Sequence, residues 1–277
     1  MSLKSILVHI DDVEASKPRL AAAIRLAREH GAQLVGIHLV PLVELNSAVA
    51  AMIPPELIER RGRENLEAQR AAEAMFRSET SAAGLRAIAW RAPPGLPVDA
   101  AVVHARCTDL FVVGQRNPPD LLPAEDLVTS VLLASGRPLL VVPYIGARPT
   151  LGERVLVAWD GGREASRAIA DAMPLLERAK RVDVIAVNRD AGATSDATAA
   201  GTRLADWLHQ HGIAADVSHQ AAPDISIGEW LLSRAADLGS DLIVMGGYGH
   251  TRMRELILGG VTRTMLQAMT VPVLMAH

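Results

Sequence analysis

The chain has 277 residues, enough for two ordinary domains, and its 49% hydrophobic and 21% charged content is that of a globular protein, not a disordered one. Residues 1–149 carry 16 basic and 16 acidic side chains and residues 150–277 carry 12 and 15, so neither part is a basic module and nucleic acid gains no support as the main partner. Nowhere do about 18 apolar residues run together without a charge, which leaves no candidate for a membrane-spanning helix.

Aromatic residues are only 3%, so the core must be built from Val, Ile, Leu and Ala, the residues of buried parallel strands covered by helices. The single cysteine, Cys107, excludes an intrachain disulfide and fits a reducing compartment. It follows the helical run Val102–Arg106 and is expected to be an inert thiol. Met1–Ser5 leads into a strand without a signal-peptide pattern, and a cytoplasmic protein is expected.

In chain order, Ile6–Asp11 reads as a strand, followed by a helix and by the strand Leu34–Val40. A long helical stretch, roughly Pro55 to Ala83, is then inserted before the strand Arg86–Trp90. Its run of Glu56, Glu59, Arg60, Arg61, Arg63, Glu64, Glu67, Arg70 and Glu73 is mixed in sign and reads as a solvated helix laced with ion pairs. Partner docking through Leu66, Met75 and Phe76 is the sharper alternative. The strands Asp109–Gly114 and Leu139–Val142 follow, and then the turn-rich stretch Gly146–Thr150.

Beyond that stretch the pattern repeats. Ile6–Asp11 matches Val155–Asp160 at an offset of 149, Asp109–Gly114 matches Asp241–Gly246, and Pro138–Val142 matches Pro272–Ala276. The second copy reads as strands Val155–Trp159, Val182–Val187, Ala214–His219, Asp241–Met245 and Val271–Met275. Its intervening helices carry Ile169, Met173 and Leu176; Leu204 and Leu208; Ile227, Leu231, Ala235 and Leu238; and Val261, Met265, Leu266 and Met269. Five strands alternating with four helices imply a doubly wound parallel sheet in each copy, residues 1–146 and 151–277, with ligands beyond the carboxyl ends of the strands.

Asp160 and Gly246 both fall at such ends. The run Met245-Gly246-Gly247-Tyr248-Gly249-His250, followed by Gly259-Gly260-Val261-Thr262 at a helix start, suggests a backbone cradle for an anion. This Gly-x-x-Gly-x9-Gly pattern behind a strand, with an acid ending the first strand, resembles the universal stress protein family, and the two copies resemble its tandem type. The resemblance implies two Rossmann-like domains paired through their last strands, Leu139–Val142 and Val273–Met275, as an intrachain pseudo-dimer, and it leaves room for a further homodimer.

The resemblance also implies an adenine nucleotide, ATP or else ADP or AMP, with Mg²⁺ held by the phosphates. Trp159 and Asp160 would lie beside the adenosine, and the backbone at Val187 would meet the adenine edge. Gly246, Gly249 and Gly259 would let the loop wrap the phosphates, with the amides of Gly260 and Val261 as donors. Met245, His250 and Thr262 complete the candidate set. The family has Ser or Thr directly after the third glycine; here Gly260 keeps the amide but lacks a hydroxyl worth roughly 1.5–3 kcal/mol to a charged phosphate. In the first copy Gly114 is followed by Gln115-Arg116-Asn117-Pro118-Pro119, which removes glycines and amide donors, so that copy is expected to be structural.

Other chemistries find little footing. Asp11-Asp12 invites comparison with a phosphorylated receiver, but the further Asp and Lys do not stand out. Capping of the following helix is the plainer role for Asp11 and Asp160. His209 and His211 point apart on a helix and are not expected to share a metal, and His9, His38 and His219 read as packed or strand-edge residues. No Gly-x-Ser-x-Gly elbow, Gly-Lys-Ser/Thr loop or Gly-x-Gly-x-x-Gly fingerprint occurs. The expectation is a nucleotide-binding stress sensor without strong catalysis. A nucleotide-free scaffold and a slow hydrolase are the alternatives.

Overall fold

The computed structural model describes residues 2–40, 53–115, 127–146, 149–188, 194–221, 226–248 and 260–277 (backbone only for 187, 188, 194–200, 220 and 221). The first half contains β1 (Ser5–His9), α1 (Val13–His30), β2 (Gln33–Ile37), α2 (Pro55–Ala82), β3 (Ile88–Arg91), α3 (Pro97–Ala105), β4 (Leu110–Gly114), α4 (Leu127–Ser135) and β5 (Leu139–Val142). The second contains β6 (Arg154–Trp159), α5 (Arg163–Leu176), β7 (Arg181–Asn188), α6 (Thr194–Gln210), β8 (Ala215–Ala221), α7 (Ile227–Asp237), β9 (Leu242–Gly246), α8 (Gly260–Ala268) and β10 (Val273–Ala276). All ten strands form one sheet in the order β3-β2-β1-β4-β5-β10-β9-β6-β7-β8.

Within each half every neighbouring pair is parallel. The halves meet where β5 pairs antiparallel with β10, Leu139 opposite Met275 and Val141 opposite Val273. The carboxyl ends of the two sets of strands therefore lie on opposite edges of the sheet. The alternation of strand side chains divides the core in two. On one face α1, α2, α5 and α6 cover Ile6, Val8, Val155 and Val157; on the other α3, α4, α7 and α8 cover Leu7, Phe111, Ile243 and Met245.

The aspartates shared by the repeats act at the amino ends of the strands. The Asp109 carboxylate accepts the amides of Lys4 (2.6 Å) and Ser5 (3.0 Å), and Asp241 accepts those of Glu153 (3.2 Å) and Arg154 (3.0 Å). Each locks the entry of its half's first strand to the strand beside it.

The long helix in the first half is not an extra element. α2 is the β2-to-β3 crossover, in the place that α6 holds between β7 and β8, with 28 residues instead of 17. Ion pairs Arg60–Glu64, Arg63–Glu59 and Arg77–Glu73 decorate its outer side at four-residue spacing. Ala72, Phe76 and Thr80 form its buried stripe. Phe76 is fully buried against Trp90, ring centroids 5.4 Å apart, and Met75 packs on the core, so of the three apolar residues considered for docking only Leu66 is exposed. Cys107 lies past the end of α3 and is exposed.

Because Phe76 anchors α2 to the sheet, Phe76→Ala should lower unfolding stability by about 3–5 kcal/mol in urea titrations followed by circular dichroism. Leu66→Ala, on the solvent side of the same helix, should stay within about 0.5 kcal/mol.

Candidate functional site

The carboxyl ends of the two halves start from the same repeat but carry different chemistry. In the first half Asp12 is the N-cap of α1, accepting the amides of Glu14 (2.9 Å) and Ala15 (2.8 Å). Asp11 therefore does not cap the helix. Its carboxylate pairs with the Arg19 guanidinium and accepts the Ser16 hydroxyl at 3.0 Å. Arg19 rises from the buried face of α1, donating from Nε to the His9 carbonyl (2.6 Å) and from a terminal nitrogen to Ser16 Oγ (2.6 Å). It lies against Gly114, the counterpart of Gly246, where any Cβ would collide with the guanidinium. Burial pulls the Arg19 pKa down to about 10.

His9 and His38 complete this cluster. His38 is buried, its Nδ1 2.8 Å from the Ile10 carbonyl and its ring stacked on Trp90. His9 is buried as well, 3.9 Å from Asp11, and its Nε2 has no hydrogen-bond partner. The first half is thus filled at its carboxyl end by side chains of its own.

In the second half the offset of 149 places Ala158, Ala165 and Ala168 where His9, Ser16 and Arg19 stand. Ala168 is fully buried and leaves no side chain to plug the strand ends. Asp160 is exposed, and its Oδ1 accepts the amide of Gly162 at 2.9 Å. Gly162 is the N-cap of α5 and offers no side-chain cap, so Asp160 closes a turn instead of capping the helix. Gly246 ends β9 directly against that helix start: a Cβ would fall 2.5 Å from the Ala165 amide nitrogen and 2.9 Å from Glu164 Cβ. The glycine is required by strand–helix packing whether or not a ligand is bound.

The residues leading into the loop rest on the first half of the chain. A Cβ on Gly247 would fall 2.6 Å from Leu132 Cδ2 of α4. Tyr248 has the left-handed φ of 60°, unusual for a residue with a side chain. Its amide donates to Thr262 Oγ1 (3.3 Å), and its hydroxyl meets Thr129 Oγ1 of α4 (2.6 Å). Thr262 is buried, its oxygen engaged by that amide, and it belongs to the support of the loop.

Gly260 is exposed at the start of α8, and no atom of the other described residues lies within 4 Å of where a Cβ would stand. The amides of Gly260 and Val261 belong to the first turn, where helices lack internal partners, and so fit an anion. Gly249, His250 and Gly259 lie outside the described residues.

The sheet separates the remaining candidates. Met245, Tyr248 and Val261 pack in the cluster on the α7–α8 face, whereas Trp159 packs on the α5–α6 face. The indole of Trp159 lines a cleft of about 390 Å³ between those helices, and its buried Nε1 has no hydrogen-bond partner among the described residues. Val187 extends β7 one residue beyond the last β6–β7 pair, Trp159–Ala186, which sets its backbone at the carboxyl edge. Among the described residues no group of three His, Cys, Asp or Glu could hold a metal. The His211 ring lies 4.4 Å from that of Trp207, centroid to centroid.

Arg19 went unnoticed in the sequence, although a signal was available. Ser16, Arg19, Leu20, Ala23 and Ala27 follow helical spacing along the buried face, and an arginine inside such a stripe needs a partner.

These features define a two-part α/β protein with one filled and one unplugged carboxyl-end site. Residues 152–277 match the model of the universal stress protein family. That match places a universal stress protein domain in the second half, and over the whole chain the likeness to solved structures is one of fold. A universal stress protein from Archaeoglobus fulgidus DSM 4304 shares the fold with a TM-score of 0.76 at 19% identity, over 98% of this chain and 97% of that one. A Pseudomonas aeruginosa UCBPP-PA14 protein assigned to the same family superposes with a TM-score of 0.60 at 16% identity, over 99% and 93%. No curated protein matches the chain in sequence. Among the described residues no helix is long and apolar enough to cross a membrane.

Burial holds the His9 pKa well below the ordinary imidazole value of 6.5, with Arg19 and His38 adding to the effect. An unfolded chain takes up a proton on His9 near that value while the folded chain refuses it, so stability falls as pH drops below about 6.5. Among the described residues Asp11 is the carboxylate paired with His9, at 3.9 Å, and it does not reverse the direction. His9→Asn should lose less stability than the parent between pH 7 and pH 5 in urea titrations. Taking the difference between the two proteins removes the parallel contributions of His30 and His104.

Proposed function

We propose that the second half of the chain binds an adenine nucleotide, ATP in the first instance, and that the first half is its structural support. The observation that carries this reading is the exchange of Arg19 for Ala168: a buried guanidinium occupies the position in one half, and only a methyl group occupies it in the other. Around the strand ends of the second half stand an exposed Asp160 carboxylate, the uncapped start of α5, and the first-turn amides of Gly260 and Val261. The resemblance in the glycine pattern supplies the nucleotide, with Gly249 and Gly259 wrapping the phosphates and Mg²⁺ carried on them. The protein acts by ligand-dependent stabilisation or signalling, not by turnover, and works in the cytoplasm.

The second reading, a nucleotide-free scaffold, draws on Leu57, Ile58 and Leu66, which are exposed on α2. Native mass spectrometry separates the two: co-purified ATP, ADP or AMP favours the sensor, and empty protein favours the scaffold.

Saturating MgATP should raise the melting temperature, since a ligand at 100 times its Kd adds about 2.7 kcal/mol to the folded state. Gly260→Ser restores the family's hydroxyl at a position where no atom of the other described residues meets a Cβ and should tighten MgATP binding by about tenfold or more in calorimetric titration. Absence of any thermal shift at millimolar nucleotide, in both the parent and Gly260→Ser, would sink the reading.

A further inference from the structure

The two residues that lead from β9 into the glycine loop are held by β10, α4 and α8 together. The Gly247 amide donates to the Ala276 carbonyl (2.9 Å), and the Gly247 carbonyl lies 3.0 Å from His277 Nδ1, which therefore carries the proton. Tyr248 reaches in both directions. Its amide donates to Thr262 Oγ1 in the first turn of α8 (3.3 Å), and its hydroxyl is hydrogen-bonded to Thr129 Oγ1 on α4 (2.6 Å). Tyr248 also packs against the apolar cluster on that face of the sheet. Its φ of 60° is a conformation that glycine adopts freely and tyrosine does not. Strained backbone of this kind persists only where the surroundings over-determine it, and it gathers at ligand sites. What tyrosine adds over glycine here is the side chain that joins α4 to the start of α8.

The far end of α8 is held from the same half of the chain. Gln115 is buried, its Nε2 donating to the carbonyls of Leu266 and Gln267 and its Oε1 accepting the Tyr144 amide (3.2 Å). A helix of nine residues is thus tied to the first half at both ends, and its first turn carries the Gly260 and Val261 amides. We infer that the first half sets the phosphate affinity of the second: Thr129, acting through Tyr248 and Thr262, is a positioning residue for those two amides. This rests on the nucleotide reading above and deepens it. Amides at a helix start serve an anion through their placement, and a displacement of about 1 Å at a preorganised site is costly. The groups assigned to adenosine, Asp160 and the backbone of Val187, stand at the ends of β6 and β7 and depend on neither hydroxyl. Loss of the Thr129–Tyr248 bond therefore falls on the phosphates and spares the nucleoside.

The test is calorimetric titration of the full chain with MgATP and with adenosine. Thr129→Val and Tyr248→Phe each remove one hydroxyl at nearly constant volume. Each should weaken MgATP by about fivefold and leave adenosine within about twofold of the parent. The double variant should lose no more than either single one, because both remove the same hydrogen bond. Thr129→Ser keeps the hydroxyl and should hold MgATP near the parent affinity. In the unliganded protein, hydrogen exchange of the Tyr248 amide, read by NMR, should run about fivefold faster in Thr129→Val.

Unchanged MgATP affinity in both single variants, an equal loss for adenosine, additive losses in the double variant, or no rescue by Thr129→Ser would overturn the inference and leave the nucleotide reading intact. Faster exchange at Tyr248 with MgATP affinity unchanged would also overturn it, reducing the contact to support of the fold. No binding of MgATP by the parent would remove the nucleotide reading itself, and the positioning role with it.

Discussion

The antiparallel pairing of β5 with β10 is the constraint from which the rest of the molecule takes its form. Each half alone would end in an exposed edge at its fifth strand, lined by Leu139–Val142 or Val273–Ala276, all of them buried in the joined sheet. Open apolar edges invite association with other chains. Joining them within one chain removes that liability and sends the two sets of carboxyl ends to opposite edges of the sheet. The loop-bearing end of the second half consequently meets the amino end of the first half. Leu132 fills the space beside Gly247, and Thr129 holds the Tyr248 hydroxyl. At the other edge Gln115 donates its side-chain amide to the carbonyls of Leu266 (3.0 Å) and Gln267 (3.2 Å) at the end of α8. The first half therefore holds both the entry to the loop and the end of the helix that follows it.

That supporting role requires no ligand chemistry of the first half. A vacated site at the strand ends would leave the Asp11 carboxylate and the His9 carbonyl with the solvation of a cleft and no ligand to answer them. Arg19 supplies an internal cation and ties carboxylate, hydroxyl and carbonyl together. A buried guanidinium is tolerated only when paired and hydrogen-bonded, and that condition makes the cluster an interdependent unit. Removing the arginine would leave Asp11 without its cation, and removing the aspartate would leave a buried positive charge. The alanines of the second half at the same positions avoid both problems and leave the strand ends unplugged.

The repeat was legible because strands buried on both faces are continuous runs of Val, Ile and Leu bounded by turn residues. Leu139–Val142 was read to the residue, and the other strands shifted by one to three residues at an end. The long helix was legible as a helix but not as the ordinary crossover, since its counterpart α6 is shorter by three turns and no local signal states equivalence. Facing directions were the weak point. The resemblance grouped Trp159 with Met245, yet the alternation along parallel strands in register sends them to opposite faces. Thr262 and Asp11 were read one at a time, whereas their partners, Tyr248 and Arg19, come from another part of the fold or from a buried helix face.

The turn from Trp159 to Gly162 is where the two faces of the second half communicate. Trp159 belongs to the α5–α6 cleft, and Gly161, with φ of 75°, lines that cleft too. Between them Asp160 points to the carboxyl edge and binds the amide that starts α5, the helix against which Gly246 is packed at 2.5 Å. A close-packed contact of this kind cannot absorb a displacement on one side without passing it to the other. Any ligand that repositions Trp159 therefore acts on the start of α5 and on the strand end behind it. By linkage, whatever factor such a ligand applies to affinity at the carboxyl edge, occupancy of that edge applies in return to the cleft.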